Sequence, residues 1–220
     1  MGHPMNADVI ANSRQGANPA QADEHLLGSV ALLPPGSCSI ASHEGDPRHV
    51  DALYAALIPV APLLGPLSNQ VSVAIIEATL NVVEHAFEGL QCNATYRLIA
   101  ALDEHRRELH ISIVDNGMGI PSSLRSQGLA SGTDAHAGIW SDQDCVRLAL
   151  SGIGMAGRGQ GFACMRGLID SLPGSSLVVI SADGACTYTC AGIKQTLGIP
   201  HHDGTIVQLR LPTSSELVRR

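Results

Sequence analysis

The chain has few aromatic side chains, little positive charge and no paired cysteine spacing, and each shortage excludes something. Phe, Trp and Tyr are 3% of 220 residues, too few to build stacking platforms along a nucleic-acid strand. The 13 Lys and Arg form no run and are outnumbered by 20 Asp and Glu, for a formal charge of −7. A dedicated nucleic-acid binder carries a basic face, so no nucleic acid is expected as a partner. Cys38, Cys92, Cys145, Cys164, Cys186 and Cys190 include no CxxC pair and read as reduced, buried small hydrophobes. Cys186 and Cys190 fall on one face of a strand, and would need two further ligands such as His201 and His202 to hold zinc. The longest uncharged stretch, which contains residues 52–70, is broken there by Pro59, Pro62 and Pro66, so no membrane-spanning helix is expected. Acidic Asp8, Asp23 and Glu24 precede the first apolar stretch, with Arg14 as the one basic residue, which fits no secretory signal. The expectation is a soluble, cytoplasmic protein.

What is present is 45% apolar residues against 15% charged, enough for one sizeable core of Leu, Ile, Val and Ala. Residues 1–45 read as an N-terminal extension, partly disordered, with short strands on either side of Pro34-Pro35-Gly36. Residues 46–213 read as the folded domain and 214–220 as a tail. Asp46 as cap and Pro47 at the first helical position open a helix over 46–60, ended by Pro59 and Pro62. A second helix spans 68–87, with Val73, Ile76, Leu80, Val83 and Phe87 as its apolar stripe, Ser68 as cap and Gly89 as stop.

Two strands follow, at 95–102 and 108–115. Alternation in the second puts His110, Ser112 and Val114 on one face and Ile111, Ile113 and Asp115 on the other. Residues 116–160 are dense in Gly and Ser around one helical patch at 142–150, and residues 121–156 read as a lid. A helix at 161–170 precedes strands at 176–183, 185–193 and 204–212. The order predicts an α+β two-layer sandwich, with helices on one face of a mixed, mostly antiparallel sheet.

Several groups of residues point to chemistry. Glu77, Asn81 and His85 recur every four residues, share one stripe of the long helix and adjoin its buried face. An acid and an amide there need partners, and border residues bonding a neighbouring loop would satisfy them equally. Asp115-Asn116-Gly117-Met118-Gly119-Ile120-Pro121 ends a strand with a carboxylate that can accept from an amine. The two glycines after it let a flat ligand approach the backbone. Gly157-Arg158-Gly159-Gln160-Gly161 leads into a helix whose exposed amides suit phosphate. Because no strand precedes it, it fits the dinucleotide-binding fingerprint poorly. Gly204-Thr205 opens the last strand.

In this order and spacing, these groups resemble the GHKL (histidine-kinase-like) ATPase superfamily over roughly residues 68–212. The run from Glu77 through Asn81 to His85 is most similar to the anti-sigma-factor serine/threonine protein kinases. The resemblance implies a Bergerat-type ATP-binding fold with ATP and Mg2+ as cofactors. It implies Glu77 as general base and Asn81 as a ligand of the phosphate-bridging magnesium. It further implies Asp115 as acceptor for the adenine amine, with Gly117, Gly119, Ile120 and Thr205 around the base. Arg158, Gly159 and Gly161 would stand at the phosphates. Gyrase-type ATPases and chaperones need a large domain after the ATP site, and the chain ends at Arg220. A histidine kinase needs a phosphoacceptor histidine on a preceding helix, and His43-Glu44 runs into Gly45-Asp46-Pro47. The implied function is a stand-alone regulator that transfers the ATP γ-phosphate to a partner protein, either a sigma factor or a small antagonist-type phosphoacceptor. The alternatives are a non-catalytic ATP-gated binding module and the ATP domain of a split histidine kinase. A homodimer stays open.

Overall fold

In the computed structural model the chain divides into two compact units, residues 1–31 and residues 32–220. The structure describes residues 37–45, 55, 57–82, 86, 95–128, 140–152 and 160–213, all in the second unit.

The sheet is built from β1 (Cys38–Gly45), β2 (Tyr96–Asp103), β3 (Glu108–Asp115), β4 (Ser176–Ala182), β5 (Gly184–Thr189), β6 (Gly192–Gln195) and β7 (His202–Pro212). Its spatial order is β1-β2-β3-β7-β4-β5-β6, and every neighbouring pair is antiparallel. The α+β class is as expected, while the sheet is wholly antiparallel rather than mixed. β1 belongs to the sheet, as its edge against β2, so the sheet takes in part of the stretch read as an extension. The 185–193 run is two strands, because the chain turns at Cys190-Ala191 and Gly192, at φ 106°, starts β6. Alternation in β3 is as expected: Leu109, Ile111 and Ile113 enter the core under the helices.

The helices are α1 (Ala61–Leu64), α2 (Ser68–Asn81), α3 (Gly119–Ser126), α4 (Asp142–Ser151) and α5 (Gln160–Ser171). The main core joins Val71, Ala74, Ile75 and Ala78 of α2 and Met165 and Ile169 of α5 to Leu98, Ile111, Leu177 and Leu209 of the sheet. α2 therefore buries a different stripe from the expected one. Val73 is 49% exposed, Ile76 and Leu80 are half-buried, and Val82 is buried. The segment Val71–Leu80 is apolar round most of its circumference, so two stripes compete, and the one containing alanines lets the helix approach its neighbours more closely. Val83, His85, Phe87 and Gly89 lie outside the described residues, as do Asp46 and Pro47. Ser68 is not a cap: a 3-10 turn, Gly65–Leu67, runs directly into α2, and Leu67 precedes it with no side-chain cap. Pro62 sits in the first turn of α1, where a missing N–H costs nothing.

The expected helical patch is α4, capped by Ser141 Oγ, which accepts from the Asp144 N–H at 3.1 Å, and closed by Gly152 at φ 69°. α3 occupies a segment read as lid. Among the described cysteines, Cys145 and Cys186 are buried, Cys164 is intermediate, and Cys38 and Cys190 are exposed. The buried-hydrophobe reading therefore holds for two of them only. Cys186 is in the core and Cys190 in the turn beyond β5, so they do not share a strand face.

Candidate functional site

Asp115 ends β3, and Thr205 lies opposite it on β7. The carboxylate is 5% exposed. Its Oδ1 accepts from the Gly117 N–H at 2.9 Å and the Thr205 N–H at 3.2 Å, leaving Oδ2 without a hydrogen-bond partner among the described residues. Burial dominates its protonation: the pKa is raised from 3.8 to about 6, against the lowering effect of those two amides. An acid held at this poise just before a glycine turn is a candidate for ligand contact.

The turn itself is fixed from the helix side, where the Met118 N–H donates to the Ala86 carbonyl at 2.8 Å. Gly119 starts α3, and Ile120 follows it with its N–H on Ser181 Oγ at 2.9 Å. Gly204 has φ 103°, and a side chain there would strike the Asp115 carbonyl, so this end of β7 needs glycine on both counts.

Asn81 closes α2, half-buried. Its Nδ2 is buried and has no hydrogen-bond partner among the described residues, a deficit of about 1–3 kcal/mol that a ligand acceptor would relieve. Gly161 on α5 lies against that amide and against the Glu77 carbonyl, so that an added Cβ would meet both. Glu77 stands one turn before Asn81 and is half-buried. Its charge adds to burial in raising the pKa of the Cys164 thiol on α5.

Asn81, Asp115, Gly119, Ile120 and Thr205 line one cavity of about 90 Å³. Gly117, Glu77 and Gly161 do not line it, although Gly161 packs on Asn81, which does. Arg158 and Gly159, assigned to the phosphates, lie outside the described residues, as does His85. Phe162, Ala149, Ser123 and Gln127 also line the cavity and were not anticipated. Phe162 follows Gly161 directly, so its place at the site was legible from the glycine run, whereas Ala149 and Ser123 carry no signal of their own. At about 90 Å³ the cavity is well below the roughly 300 Å³ at which drug-sized ligand pockets start. A whole nucleotide exceeds this volume.

Among the described residues no group of three His, Cys, Asp or Glu is placed to hold a metal. His201 and His202 do not join Cys186: His201 lies between Asp183 at 2.9 Å and Asp203 at 3.1 Å. No described helix is long and apolar enough to cross a membrane. No family model, no curated protein and no solved structure matches the chain.

Proposed function

We propose that this chain is an ATP-binding protein of the GHKL superfamily with a Bergerat-type fold, acting as a serine/threonine kinase of the anti-sigma type on a partner protein. One observation carries the reading. A buried carboxylate satisfied on one oxygen, Asp115, and a buried unpaired amide, Asn81, line the same cavity from β3 and α2. The first suits an exocyclic amine, and the second suits a phosphate oxygen or, with its amide turned over, a cation.

Each residue then has a chemical task. Ionised Asp115 accepts from the adenine amine, and Thr205 and Ile120 border the base. Asn81 reaches the phosphates. Asn81 would also hold a magnesium ion, which would offset the phosphate charge, and one protein ligand would suffice because magnesium retains water readily. Glu77 takes the proton of a partner Ser or Thr hydroxyl as that oxygen bonds to the γ-phosphorus. The bond from phosphorus to the β–γ bridging oxygen breaks, and ADP leaves.

The small volume of the cavity favours a second reading, an ATP-gated binding module, because walls that must part for the nucleotide can also move a protein-binding surface. Glu77→Gln separates the two. In a kinase, single-turnover transfer of labelled γ-phosphate to the partner falls by about 10²–10⁴ while ATP affinity changes less than about tenfold. Unchanged ATP-dependent partner binding and function in Glu77→Gln would leave the gated module.

A further inference from the structure

Ser181, on β4, is fully buried and belongs to none of the sequence motifs. Its hydroxyl nevertheless joins the segments that frame the cavity. It donates to the Gly204 carbonyl at 2.6 Å, accepts from the Ile120 N–H at 2.9 Å and lies 3.4 Å from Thr205 Oγ1. Gly204 and Thr205 lie two and three residues into β7, the strand that feeds Asp115 an N–H, and Ile120 is in the first turn of α3. One atom thus holds the strand side and the helix side of the cavity together.

The hydrogen count gives this arrangement a direction. A serine hydroxyl has one proton and two lone pairs. The proton is committed to Gly204, at the shortest of the three distances, and one lone pair to Ile120. Toward Thr205 it has only a lone pair left. The Thr205 proton therefore turns to Ser181, and Thr205, which lines the cavity, keeps its oxygen lone pairs for a ligand. Beside it stands the Asp115 carboxylate, which accepts only when ionised. Two adjacent acceptors match an exocyclic NH2 and oppose a carbonyl.

We propose that Ser181 is a positioning residue that holds Thr205 as a hydrogen-bond acceptor and so makes the site select a 6-amino over a 6-oxo purine nucleotide. The inference rests on the nucleotide reading of the cavity and adds a specificity determinant to it. Without the Ser181 hydroxyl, the Thr205 O–H can turn into the cavity and donate to a 6-oxo group, and discrimination weakens.

The test is calorimetric titration of ATP and ITP, each with magnesium, into wild type, Ser181→Ala and Ser181→Thr. Wild type is expected to prefer ATP by at least about tenfold, as a site built around a particular polar group does. Ser181→Ala should reduce the ATP-to-ITP affinity ratio by about tenfold, and Ser181→Thr, which keeps the hydroxyl, should restore it to within about threefold. A purely structural role lowers both affinities alike and leaves the ratio unchanged. That result overturns the inference and leaves the nucleotide reading standing, whereas wild type binding neither nucleotide overturns both. If Ser181→Ala does not fold, Thr205→Val answers in its place: a fall in the ratio supports the acceptor role, and an unchanged ratio removes it.

Discussion

Asp115 and Thr205 are partners across the β3–β7 ladder, and the Thr205 N–H donates to Asp115 Oδ1 at 3.2 Å. A strand 90 residues further along the chain thereby orients the acid that the sequence singles out. The same amide, with that of Gly117, keeps the pKa of a carboxylate this deeply buried from rising further.

That balance has a pH signature. With its pKa raised from 3.8 to about 6, folded Asp115 binds a proton more readily than the unfolded chain does. It therefore costs stability above pH ~6, roughly 3 kcal/mol, and the cost is relieved as pH falls toward ~4. Ligand binding runs the other way, since an amine donor needs the ionised acid. ATP affinity should drop as pH falls below about 6, as calorimetry from pH 5 to 8 would read, and affinity that is flat there contradicts the role given to Asp115.

His110 supplies the opposite slope. It is 1% exposed, and neither ring nitrogen has a hydrogen-bond partner among the described residues. Burial, then the Arg210 charge, lowers its pKa from 6.5 to about 4, against the raising effect of Asp103. Glu108, at 3.5 Å, therefore faces a neutral ring at pH 7. The unfolded chain binds this proton first, so the contribution of His110 is intact above pH ~6.5 and is lost as pH falls through ~4. The two groups nearly cancel in wild type. Denaturant unfolding between pH 4.5 and 7 should show Asp115→Asn losing stability with acid relative to wild type and His110→Leu gaining it. The same slope in all three proteins would refute the assignment.

Much of this fold is legible in the sequence, and the parts that are not share a cause. Period-two alternation identifies β3 and which of its residues enter the core, because each face has a distinct environment. The glycines at 117, 119 and 204 mark the rim of the cavity, since close backbone approach leaves a compositional trace. α2 defeats the same kind of reading: with apolar residues on nearly every side, its periodicity is compatible with two faces, and only the packing of Ala74 and Ala78 chooses. α3 hides in a Gly- and Ser-containing segment because its helical state depends on contacts rather than propensity. Ser181 is invisible for another reason. Its importance lies in register across β4 and β7, which no local pattern encodes.

The contact between α2 and α5 at the site should be intolerant. A Cβ at Gly161 would collide with the Asn81 amide and approach the Glu77 carbonyl to 3.1 Å. Gly161→Ala should weaken ATP binding at least about tenfold and destabilise the fold by about 1–3 kcal/mol through overpacking. Calorimetry and denaturant unfolding read the two effects, and a variant with wild-type values in both would mean that α5 does not press on Asn81.

The central claim, that Asp115 and Asn81 line an adenine-nucleotide site, is tested most directly by titrating ATP with magnesium into wild type and Asp115→Asn. The account predicts micromolar binding by wild type and a loss of roughly 2–4 kcal/mol, about 30- to 1,000-fold, in the variant, because the amide can turn a donor toward the adenine amine. Equal affinity in the two proteins, or no binding by wild type, would contradict it.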